Sequence, residues 1–209
     1  MKMHKRLVGV IATVALVAGG SLAAAVPAQA DGNVKVRGKT QITLDSSVAQ
    51  ALAGLGVSIV ATEGGKVKKG SLIFPVTGSG DGYIEHKGQL QITKDGGLVA
   101  AGNNPLIGYP TDQPLTTADI SVDVPGIGVT SLFTVTNIKA SKPKVKVNKK
   151  KKTRTTVTTI RGTLTVSAGQ AGLINTLLGT QLLTADMDLG KTKTVVQSIA
   201  KCKNKKCTK

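Results

Sequence analysis

Alternation is the feature that most constrains this chain. From Tyr83 to Thr93, Ile84, His86, Leu90 and Ile92 fall on one side, and Glu85, Lys87, Gln89 and Gln91 on the other. That is the period-two pattern of a strand with one buried face. Lys39 to Leu44 repeats it, with Thr40, Ile42 and Leu44 together. Gly70 to Val76 is a short apolar run, and Thr117 to Val124, Val129 to Thr136 and Thr155 to Val166 are rich in the β-branched residues that favour strands. Glycine-containing breaks at Gly64-Gly65, Gly78 to Gly82, Gly96-Gly97 and Pro125-Gly126 mark turns between the runs.

Two segments leave this period. Ser46 to Leu55 sets Val48, Ala49, Leu52 and Leu55 at helical spacing, with Asp45 or Ser46 as the cap and Gly56 as the stop. Ala168 to Leu178 does the same with Ala171, Ile174, Leu177 and Leu178, between Ser167 and Gly179. Each helix follows an alternating strand, so the chain carries two similar strand–helix–glycine segments; two copies are too few for a solenoid. The expected fold is mainly β: a single β-sandwich-like domain with two short helices plugging its ends.

The N-terminus sets the compartment. Lys2, Lys5 and Arg6 precede an apolar run from Leu7 to Val17, and Ala28-Gln29-Ala30 has the small-x-small form of a signal-peptidase site. A signal peptide over residues 1–30, cleaved before Asp31, makes the protein secreted or extracellular. An uncleaved anchor is the rival reading, since Leu7 to Ala30 is long enough to cross a bilayer. The β-rich domain then covers 31–200, with a basic hairpin or linker at 142–154, and 201–209 forms a basic tail. Cys202 and Cys207 are expected to pair in that oxidising setting.

The 28 Lys and Arg outnumber the 11 Asp and Glu, for a net charge of +17. Lys142, Lys144, Lys146, Lys149, Lys150, Lys151, Lys152 and Arg154 run together with no acidic residue among them. Such a field attracts anions over about a Debye length, ~8 Å at physiological salt. The expected partner is an anionic cell-wall polymer or membrane surface; the plainer reading is solubility alone. Nucleic acid is disfavoured, because two Phe, two Tyr and no Trp leave no stacking platform.

Little in the chain carries chemistry. With His4 in the leader, His86 is the one remaining imidazole, and no Gly-x-Ser-x-Gly elbow accompanies it. No His or Cys cluster supports a zinc site. The carboxylate pairs Asp119 and Asp123, Asp186 and Asp188, and Asp81 and Glu85 are expected to face solvent rather than flank a scissile bond. The expectation is a non-enzymatic protein with no metal and no cofactor. His86, on an apolar face, is either a core histidine with its hydrogen bonds met or a ligand-pocket residue acting with Tyr83 or Tyr109.

The run Gly82-Tyr83-Ile84-Glu85-His86-Lys87-Gly88-Gln89-Leu90-Gln91-Ile92, followed by Asn104-Pro105, resembles the central strands of the Htaa-type secreted domains of actinobacteria. The later strand–helix–glycine pattern ending at Gly190 does so too. The family includes cell-surface haem carriers in which a tyrosine ligates iron and a histidine supports it. The resemblance implies a small-ligand carrier as the alternative function and haem as the alternative cofactor, with His86 in the place of the supporting histidine. No tyrosine of this chain matches the ligating one.

Overall fold

The computed structural model describes residues 34–80, 82–109, 115–124 and 128–202. The expected leader, Asp81 and the tail from residue 203, Cys207 included, lie outside the described residues. In chain order the elements are β1 (Val34–Leu44), α1 (Ser46–Gly54), β2 (Val57–Thr62), β3 (Lys66–Lys68), β4 (Ser71–Gly80), β5 (Tyr83–His86), β6 (Gln89–Lys94), β7 (Gly97–Gly108), β8 (Ala118–Val124), β9 (Gly128–Ala140), β10 (Lys144–Asn148), β11 (Thr153–Val166), α2 (Ala171–Leu178) and β12 (Asp188–Lys201).

The strands pair in the order β7, β5, β4, β1, β12, β11, β9, β8, and β8 then pairs back onto β7. The sheet therefore closes into an eight-stranded barrel, which corrects the expected sandwich. Alternation is the same in both architectures, because each strand has one buried and one exposed face whether the inner faces meet across two sheets or around one. Closure depends on β7. Its last residues, Leu106 to Gly108, pair with β5 on one side and β8 on the other. Its first half pairs with β6, which in turn carries β2 outside the ring.

The expected strand from Tyr83 to Thr93 is two strands. The chain breaks at Lys87-Gly88, where Gly88 has a φ of 129° and a Cβ would lie 2.7 Å from the Gly65 nitrogen. The first half stays in the barrel wall and the second leaves it. The predicted faces survive the break: Ile84, His86, Leu90 and Ile92 are all buried.

Both helices close the same end of the barrel rather than opposite ends. Leu44 at the end of β1 and Leu164 near the end of β11 both pair with Gly190 of β12, so the two similar segments run side by side in direction and deliver α1 and α2 together. Val48 and Leu52 from α1, with Ile174 and Leu178 from α2, seal an apolar core that retains a cavity of about 40 Å³. Asp45 stands at the start of α1 without a side-chain capping bond, and Gln170, not Ser167, stands at the start of α2. Gly179 ends α2 in the left-handed conformation, where Lys94 Nζ donates to the Leu178 carbonyl at 2.7 Å.

The basic segment is a hairpin, not a linker. β10 pairs with β11 from Lys144↔Val157 to Asn148↔Thr153, and the Lys151 N–H donates to Asn148 Oδ1 at 2.9 Å across the turn. The Cys202 N–H donates to the Lys152 carbonyl at 2.8 Å, fixing the end of β12 to the hairpin's turn. The buried positions of the barrel are largely apolar, with Thr40, His86 and Thr194 among them. No described helix is long and apolar enough to cross a membrane.

Candidate functional site

His86 ends β5 with its side chain inside the barrel, 3 % exposed. Its Nδ1 lies 2.8 Å from the carbonyl oxygen of Pro105 in β7, and its Nε2 lies 2.6 Å from Thr40 Oγ1 in β1. A carbonyl only accepts, so Nδ1 carries the proton. In the neutral ring Nε2 then accepts, and the Thr40 hydroxyl donates to it. Thr40 Oγ1 in turn accepts from Thr194 Oγ1 of β12 at 2.8 Å. A single directed chain of hydrogen bonds thus ties four barrel strands together. Burial pushes the imidazole pKa down from 6.5 to about 4, partly offset by the Pro105 hydrogen bond.

The tyrosines lie elsewhere. Tyr83 is on β5 at the parity opposite to His86, and it stacks outside the wall over Gly80, where a Cβ would come within 2.5 Å of its Cζ. Tyr109 is half-buried and donates from its hydroxyl to the Gly80 carbonyl at 3.2 Å. The fold therefore gathers Tyr83 and Tyr109 around Gly80 and leaves His86 apart from both.

These residues do not offer haem the ligands that the family resemblance implies. Both ring nitrogens of His86 are engaged, and the hydroxyl beside it belongs to Thr40, not to a tyrosine. The cavity in the core is about 40 Å³, against roughly 300–1,000 Å³ for sites that enclose a ligand. The tyrosine–histidine arrangement that the family resemblance implies does not fit here.

Asp119, Asp123, Asp186, Asp188 and Glu85 are all exposed. Asp119 and Asp123 are four residues apart on one strand, about 13 Å, wider than the spacing glycosidases use. Among the described residues no three His, Cys, Asp or Glu side chains gather as a metal site would require.

The eight hairpin cations, Lys142, Lys144, Lys146, Lys149, Lys150, Lys151, Lys152 and Arg154, are exposed. Sequence reasoning missed a second cationic surface. Lys139, Arg161, Lys191 and Lys193 come from three strands and line an outer groove of about 580 Å³. Lys191 and Lys193 share an outward parity that is visible in the sequence, but the adjacency of β9, β11 and β12 is not.

No family model and no curated protein matches the chain. Solved structures do. The C-terminal domain of HtaA from Corynebacterium glutamicum is similar at a TM-score of 0.53 and 13% identity, covering 80% of this chain and 99% of that one. The heme binding protein HtaB from the same organism is similar at a TM-score of 0.50 and 12% identity, covering 80% of this chain and 96% of that one. The fold is thus Htaa-like. The expectation that no cofactor belongs with this chain is corrected by the same finding, since a barrel of this kind is a heme binding protein in HtaB.

Proposed function

We propose that this chain is an extracellular, non-enzymatic binding protein whose ligand is of the haem class. One observation carries the reading: the barrel is shared with the heme binding protein HtaB over four fifths of this chain. Haem would bring an absorbing tetrapyrrole and two carboxylates. The chain's own residues would contribute differently from the family pattern. His86 serves the wall by joining Thr40 to Pro105, and it is not offered to iron. Binding is therefore expected not to depend on Tyr83 or Tyr109. The test is gel filtration of the protein mixed with hemin. Co-eluting absorbance near the Soret maximum, retained in Tyr83→Phe and Tyr109→Phe, supports the proposal. Hemin that elutes entirely apart from the protein overturns it.

A second reading rests on a separate observation, the hairpin's exposed cations. They would hold the protein on an anionic wall polymer or membrane surface by screened electrostatics. Pelleting with isolated wall material, released by added salt and weakened when Lys149 to Lys152 are changed to Gln, is the expected result. Retention at high salt contradicts it.

A further inference from the structure

The groove on the outer wall is built differently from the hairpin. Lys139 of β9 stands directly opposite Arg161 of β11, Arg161 opposite Lys193 of β12, and Lys193 opposite Gln41 of β1. Strands lie about 4.8 Å apart, so three cations stand abreast within about 10 Å. In the next row Thr163, Lys191 and Thr43 are aligned in the same way. None of the ten lining residues is acidic. Like charges directly opposite each other destabilise a sheet, so this arrangement costs the free protein something that a bound anion would relieve.

The wall is also irregular there. Asn137 and Ile138 together oppose the single residue Gly162, because the register jumps between Arg161↔Lys139 and Thr163↔Thr136. Asn137 holds a left-handed φ of 50° at this bulge. Gly162 admits no side chain, since a Cβ would lie 2.3 Å from Val135 Cγ1 and 2.8 Å from the Thr136 carbonyl oxygen. Bulges of this kind bend a strand and re-aim side chains, and they recur beside binding sites.

We propose that this bulged groove binds a ligand carrying two or more neighbouring phosphate groups. A phosphate monoester carries about −1.5 to −2 at neutral pH, so two of them balance Lys139, Arg161, Lys191 and Lys193. A carboxylate carries half that charge. Arg161 supplies the planar fork that grips a phosphate with two hydrogen bonds. Gln41, Thr43, Asn137 and Thr163 supply neutral hydrogen-bonding groups along the same floor. The site depends on neither the haem reading nor the hairpin, whose turn lies about 26 Å away along β11.

The test is a pyrophosphate titration of the full chain followed in amide nitrogen–proton spectra at physiological salt. Saturable shifts are expected at the amides of Asn137, Gly162 and Lys193. Affinity is expected to fall roughly tenfold or more in the double variant Arg161→Gln, Lys193→Gln, a loss of about 1.4 kcal/mol. Arg161→Lys, which keeps the charge and removes the fork, falls between. Changing Lys149 to Lys152 to Gln leaves the affinity unchanged. All altered residues are exposed, and circular dichroism checks that each variant folds. Equal weakening by the hairpin variant, shifts that never saturate, or succinate binding as tightly as pyrophosphate overturns the proposal. Hemin binding plays no part in the readout, so the fate of the haem reading leaves the result intact.

Discussion

The inside and the outside of the barrel wall handle polar groups in opposite ways. Inside, His86, Thr40 and Thr194 form a closed chain in which every donor named above has an acceptor. Outside, Lys139, Arg161 and Lys193 stand abreast in a groove with no acidic lining residue. The interior set is complete without a ligand, whereas the exterior set has its charge unmatched within the groove. A buried histidine in a β-rich chain draws the eye as a reactive centre, yet here its ring bonds tie strands together. The surface that has something left to bind is made of residues that are individually ordinary.

Four perturbations test this contrast. Removing the imidazole has the largest effect. His86→Ala leaves a cavity and strands both the Thr40 hydroxyl and the Pro105 carbonyl, so a loss of about 3 kcal/mol or more is expected in denaturant unfolding. A loss under about 1 kcal/mol would mean that the interior chain is not structural.

Acid comes next. The folded-state pKa of His86, about 4, lies below its unfolded value of 6.5, so the unfolded chain takes up a proton first as the pH drops. The stability tied to the neutral ring is complete above pH 6.5, falls between 6.5 and about 4, and is gone below that. The amount is roughly 3 kcal/mol. Urea midpoints measured across this window in wild type and His86→Gln separate this contribution from the carboxylates, and parallel curves would remove His86 from the account.

Thr40→Val is expected to cost about 1–3 kcal/mol by leaving Nε2 without its donor. The smallest effect belongs outside. Arg161→Gln relieves two like-charge pairings and is expected to leave stability unchanged or raise it by a few tenths of a kcal/mol. Calorimetry at low salt reads the difference. A marked loss at Arg161 would show that the row of cations is a structural device.

Much of this fold is legible in the residues. Parity along Tyr83 to Thr93 places Ile84, His86, Leu90 and Ile92 in the core, and the helical spacing of Val48 with Leu52 and of Ile174 with Leu178 marks the faces that seal it. Closure was not legible, because it turns on Leu106 to Gly108 pairing with strands on both sides, and alternation carries no record of which strand is the neighbour. The same ignorance hid the groove. Lys139, Arg161 and Lys193 are far apart in sequence and meet only once β9, β11 and β12 are adjacent. Tyr83 and His86 illustrate the limits of closeness in sequence. They lie three apart on one strand, and odd spacing sends their side chains to opposite faces.

The state of one imidazole decides between a structural tie and a ligand, and long-range nitrogen–proton correlation spectra of the His86 ring, across pH and with hemin added, read it directly. The predicted result is a neutral ring protonated at Nδ1, titrating near pH 4, with ring shifts unmoved by hemin. A ring that titrates near 6.5, carries its proton on Nε2, or broadens away when hemin binds would contradict it and return His86 to the ligand.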